Sequence, residues 1–292
     1  MALSVLKDIR KVFSGLNADE IRGMAVQEIN VGLMASSEAL LRQMEDFLAP
    51  SSLGATARAH VLRSVRRADG ASRPFDFVLC EPGRPVPANG FYFEPGCEET
   101  LIPLIVGENP KLELALARSF PLFRRTVASK VIGRVAKENA LFSIVTALPN
   151  VVPNLLELPW AVGEFATDTA FLTMNQVRMA LILSAAHGHA VGYMEQKAEI
   201  AGIVAGAFGW RAIARELVGK IPMGGGLIPK AAVAFAGTYV VGLGLDKVNR
   251  TGLRLSREER RDAYADAFLK GKEAVRELAP NLPQSKGDSE FH

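Results

Sequence analysis

The sequence predicts an α+β, mostly α-helical protein. A small α/β unit of three short strands is followed by a helical bundle that includes a small-residue-rich apolar helical hairpin. Two observations point there. Three short apolar runs read as strands, within residues 28–34, 75–80 and 101–106, whereas after Pro110 no strand signal competes seriously with helix. The 292 residues are 49% hydrophobic and 22% charged, enough apolar material to bury a core.

Residues 2–14 place Leu3, Leu6, Ile9, Val12 and Phe13 at three- and four-residue spacing opposite basic positions, the pattern of an amphipathic helix. It either docks on the protein's own core or lies on a lipid surface. Lys7, Arg10 and Lys11 interrupt the apolar residues and no continuous apolar run follows, so the start reads as cytoplasmic rather than as a secretory leader. Glu28–Met34 (EINVGLM) and Phe75–Cys80 (FDFVLC) are the first two expected strands, with helices over Ser37–Leu48 and Ala55–Ala68 between them. Residues 81–99 are rich in Pro and Gly and read as loop. Leu101–Val106 (LIPLIV) is the third expected strand, placed at an edge by Pro103. Lys111–Leu148 is a long helical stretch with a break at Pro121. Helices follow at about 161–187, 192–219 and 226–249. Ser256 with Glu259 three residues later forms a capping box for a last helix to Leu278. The expected organisation is a helical segment over 1–27, an α/β unit over 28–108, a helical domain over 109–279 and a polar tail over 280–292.

Composition excludes several functions. The net charge of +3 is too weakly basic to argue for nucleic acid. Cys80 and Cys97 are the only cysteines, which rules out a disulfide framework and fits a reducing compartment. After the first strand a phosphate-binding unit needs a glycine-rich turn ending in Gly-Lys-Ser/Thr, because backbone amides and an ammonium must hold the phosphates. This chain has Gly32-Leu33-Met34-Ala35-Ser36-Ser37-Glu38. Gly219-Lys220 and Gly271-Lys272 are followed by Ile and Glu, which offer no hydroxyl to Mg²⁺. His187 and His189 have no cysteine nearby and too few partners for zinc, and no nucleophile elbow is present. The expectation is therefore no catalytic residue, no cofactor and no metal.

Two features remain as binding candidates. From Lys111 to Lys137, Arg118, Arg124, Arg125, Lys130, Arg134 and Lys137 stand against the single acid Glu113. Such a stretch is either a solvated face or a contact for anionic lipid, which gains about 1 kcal/mol per basic residue near the surface. The second is the segment 199–249. Gly202 and Gly206, then Ala232 and Ala236 followed by Gly237, have the spacing that lets helices approach closely. Ala231–Leu245 spans about 22 Å as a helix, against about 30 Å of hydrocarbon. Extension back to Gly224 admits Lys230, at a cost of up to ~3 kcal/mol in mid-bilayer. A tight hairpin in water and a membrane-embedded hairpin both fit. A further reading puts a small molecule at the strand ends, near Gly32–Ser37 and Gly107–Asn109.

Several short motifs then come in order. They are Pro149-Asn150-Val151-Val152-Pro153, Asp168 through Met179 (DTAFLTMNQVRM), Ala186-His187-Gly188, and Lys220 through Gly225 (KIPMGG) before the small-residue helix with Ala236, Gly237 and Thr238. Over about residues 135–250 the chain resembles the bacterial domain-of-unknown-function 697 family. That resemblance implies a GTPase-associated protein, often membrane-predicted, and makes residues 28–108 look like an Era/Ras-like GTPase unit that has lost its phosphate loop, a pseudo-GTPase. It carries over no catalytic residue. The expected function is thus a non-enzymatic protein at the cytoplasmic face of the bacterial membrane, or in the cytoplasm. Its expected partners are anionic lipid and, through protein contacts, a GTPase or a second copy. The rival is a soluble small-molecule- or nucleotide-binding domain.

Overall fold

The computed structural model describes residues 17–68, 74–146, 168–203 and 227–278. The fold is α+β and mostly helical, with one small parallel sheet. The amphipathic stretch 2–14 and the tail 280–292 lie outside the described residues, as do most of the helix expected over 192–219 and the start of that over 161–187. The described part divides into two compact units, Asp19–Ser129 with Ser184–Ala190, and Lys130–Leu183 with the chain from Val191 onward.

In the α/β unit, helix α1 (Ala18–Ala25) leads into strand β1 (Val31–Met34), then helices α2 (Glu38–Leu48) and α3 (Ala55–Leu62). Strands β2 (Val65–Arg67), β3 (Phe77–Cys80) and β4 (Gly90–Tyr92) follow, then helices α4 (Glu98–Glu108) and α5 (Glu113–Ser119). The four strands are parallel in the order β2-β1-β3-β4. Val31, Leu33 and all of Phe77–Cys80 are buried, as expected of strands covered on both faces.

Three expectations for this unit are corrected. Leu101–Val106 is no strand but the middle of α4. Leu101, Ile105 and Val106 are buried while Pro103 and Leu104 face solvent, a helical pattern rather than alternation. Pro103 forgoes one helical hydrogen bond, and the carbonyl it leaves belongs to the exposed Glu99, where water can reach. The helix expected to run to Ala68 stops at Leu62, and Val65–Arg67 becomes the edge strand beside β1. Gly90–Tyr92 is a strand inside the stretch expected to be loop.

Pro121 breaks the basic stretch as expected, starting a 3-10 turn, Pro121–Phe123, before helix α6 (Arg124–Val145). The helical unit contains most of α6, most of α7 (Asp168–Ala186), α8 (Leu227–Thr251) and α9 (Arg257–Leu278). The capping box opens α9 as expected. The Ser256 amide donates to Glu259 Oε2 at 2.7 Å and the Glu259 amide donates to Ser256 Oγ at 3.1 Å. α8 packs along α9 through Ala232, Ala236 and Val240 against Tyr264, Ala267 and Phe268. At Gly271 an added Cβ would lie 3.1 Å from the Ala232 carbonyl and the Phe235 side chain. The Gly271-Lys272 pair is therefore a helix-crossing element, with glycine present for close approach.

Candidate functional site

In an open parallel sheet, ligands bind beyond the strand C-termini where the strand order reverses. Here the chain leaves β1 for β2 on one side and returns to β3 on the other, so that point lies between the ends of β1 and β3. β1 ends at Met34 and β3 at Cys80, placing Ser36 and Glu81 together. The Glu81 amide donates to the Met34 carbonyl at 2.8 Å, tying the two strand ends. The Ser36 amide donates to Glu81 Oε2 at 2.6 Å. Ser37 then caps α2, its Oγ accepting from the Leu40 amide at 3.1 Å, as serine does at a helix start. Arg67 of β2 pairs with Glu38 in the first turn of α2.

The electrostatics match this geometry. Hydrogen bonds from Ser36, hydroxyl first and amide second, hold the Glu81 carboxyl below the usual carboxylate range, and Arg84 adds to the effect. The amide at the end of β1, where a phosphate loop would present its donors, already carries an anion from the protein itself. Burial pushes the neighbouring Cys80 thiol up, which keeps it protonated and unreactive. Sequence reasoning placed a site at Gly32–Ser37 but missed Glu81, which stands 45 residues after Ser36. It also used Gly107–Asn109, which ends α4 instead of a strand.

The basic candidates separate into two kinds. Arg118 donates to the carbonyls of His189 at 2.9 Å and Ala185 at 3.2 Å. Arg124, half-buried, donates to the Ala117 carbonyl at 3.2 Å, and burial followed by the Arg118 charge lowers its pKa. Arg118 thus satisfies carbonyls where α7 ends. That end is closed by Gly188 at φ +86°, with the Gly188 amide donating to Ala185 and the His189 amide to Ser184, a left-handed cap that favours glycine. His187 and His189 flank this cap. Arg125, Lys130, Arg134 and Lys137 are exposed on α6. Lys130, Arg134 and Lys137, spaced by four and three, share one side of the helical unit. Lys137 comes within 4.0 Å of Glu277.

Of the hairpin candidates, Ala232 and Ala236 pack on α9, Gly237 is buried and Gly202 is exposed, while Gly206 lies outside the described residues. α8 is the one helix among the described residues long and apolar enough to cross a membrane. No residue from Ala231 to Asn249 is exposed.

The helical unit also buries a polar seam. Thr238 Oγ1 accepts from Asn139 Nδ2 at 2.8 Å and from Gln176 Nε2 at 3.3 Å, and Asn139 Oδ1 accepts from Asn175 Nδ2 at 2.8 Å. Beside it, burial raises the pKa of Glu138 against the opposing charges of Arg178 and Arg134. Among the described residues no cluster of three or more His, Cys, Asp or Glu could hold a metal.

No family model, curated protein or solved structure matches the chain.

Proposed function

We propose that this is a non-enzymatic bacterial accessory protein that works by binding. Its α/β unit serves as a scaffold that does not turn over nucleotide, and its helical unit docks on the anionic cytoplasmic face of the membrane. The observation that carries the first half is the Ser36 amide held by the Glu81 carboxylate. Seating a phosphate there would bring two anions onto one donor, with no lysine or further glycines to offset the repulsion. A pseudo-GTPase scaffold is also what the resemblance to the 697 family implies.

The exposed row Lys130, Arg134 and Lys137 supports the second half. Three basic side chains near an anionic surface contribute about 3 kcal/mol. That is modest, below the roughly 5.5 kcal/mol that a single acyl chain's reversible anchoring supplies. Peripheral attachment fits better than spanning, because α8 finds cover from its own protein along Ala231–Asn249 and Lys230 interrupts its extension. Flotation with vesicles of phosphatidylcholine alone and with phosphatidylserine added tests this half. Binding only to the anionic vesicles, lost at high salt, is the expected result. Equal or absent binding to both contradicts it and leaves a protein partner, a GTPase or a second copy, as the docking target.

A further inference from the structure

We infer that the buried polar seam is a register key for α8. Between Ala231 and Leu245 this helix is built largely of Ala, Gly and Val, whose low ridges discriminate poorly between packings one turn apart. Thr238, 1% exposed, is the one buried polar side chain of that stretch. It meets carboxamides from two neighbouring helices, Asn139 of α6 (0% exposed) and Gln176 of α7 (6%), while Asn139 in turn holds Asn175 (1%). A shift of α8 by one turn brings Ala234 or Gly242 opposite Asn139, takes the Thr238 acceptor from Gln176 Nε2 and leaves Asn139 Nδ2 with only the Leu172 carbonyl at 3.4 Å. Stranding one buried donor and weakening the bonds of another is disfavoured, so the seam penalises the registers one turn away from the observed one. A single buried asparagine sets register in coiled coils in this way.

Gly242, one turn along α8 from Thr238, supplies the place to read the outcome. An added Cβ there would lie 2.7 Å from Ile132 and 3.1 Å from Met179, so the Ile132 side chain seats in the gap that Gly242 leaves. The δ1-methyl resonance of Ile132 in the full-length protein therefore reports where α8 sits. In Asn139→Leu/Gln176→Leu/Thr238→Val, helicity is retained and the Ile132 signal splits into two or more or broadens by exchange. One sharp Ile132 signal at the wild-type position in that variant overturns the inference. Should the triple variant fail to fold, Thr238→Val alone carries the test. A second, minor Ile132 signal is expected there, and a single sharp one overturns the inference.

Discussion

Gly242 and Gly244 stand two residues apart in α8, and alanine at each should move stability in opposite directions. In a helix interior, alanine is favoured over glycine by about 0.8–1 kcal/mol. At Gly244 the added Cβ meets only Leu255 Cδ1 at 3.5 Å, ordinary contact, so most of that gain is realised. At Gly242 the same methyl would lie 2.7 Å from Ile132 Cγ1 and 2.8 Å from its Cγ2. Ile132 is β-branched and 1% exposed, so it cannot swing clear. Overpacking of this kind costs about 1–3 kcal/mol, which leaves a net loss of about 1 kcal/mol after the propensity gain. For a chain of this size that is about 1.5–2 °C in Tm. Thermal melts followed by circular dichroism at 222 nm should give Gly244→Ala above wild type and Gly242→Ala below it. Gly242→Ala melting at or above wild type would refute the close approach of α6, α7 and α8.

Three further outcomes follow from the same contacts. Replacing Lys130, Arg134 and Lys137 with Gln should weaken binding to anionic vesicles by about two orders of magnitude at low salt. An unchanged affinity removes this row as the contact. Arg118→Gln should leave vesicle affinity intact and lower Tm, because it removes one donor from each of the Ala185 and His189 carbonyls, with a loss of about 0.5–1.5 kcal/mol. A vesicle defect with an unchanged Tm would reverse the roles of the two groups. The carboxyls of Glu81 and Glu259 are held below their ordinary value, Glu81 chiefly by Ser36 and Glu259 chiefly by Lys247. Their contribution is present above the unfolded carboxylate pKa of about 4.3 and is lost as pH falls through the lower folded values. Urea melts across that acid range should therefore show a shallower loss for Glu81→Gln than for wild type, and parallel profiles would contradict the assignment.

The parts of the fold legible in the sequence were those with a strong local signal. Val31–Met34 and Phe77–Cys80 lie within apolar runs that parallel strands buried on both faces require. Pro121 has no backbone N–H to donate and starts a new turn at the first position, where none is needed, and Ser256 with Glu259 closes a capping box without outside help. Leu101–Val106 was ambiguous because a short apolar run fits either a buried strand or one side of a helix. Burial of Leu101 and Ile105, four apart, decides it, and burial is a tertiary fact. Gly90–Tyr92 is three residues among prolines and glycines, made a strand only by β3 beside it. The site was half legible for the same reason. The missing phosphate loop can be read from Gly32–Ser37, but Glu81 reaches Ser36 only once β1 and β3 pair. Arg118 and Arg124 looked identical in sequence to Lys130 and Arg134, and only the carbonyls at the end of α7 and in α5 tell them apart.

The central claim is that the anion seat at the end of β1 is filled by Glu81. Isothermal calorimetry of the wild-type chain with GTP, GDP and ATP, each with and without Mg²⁺, tests it most directly. Heats no larger than dilution are expected for all three nucleotides, and micromolar, Mg²⁺-dependent binding of any of them would contradict a seat already filled by Glu81.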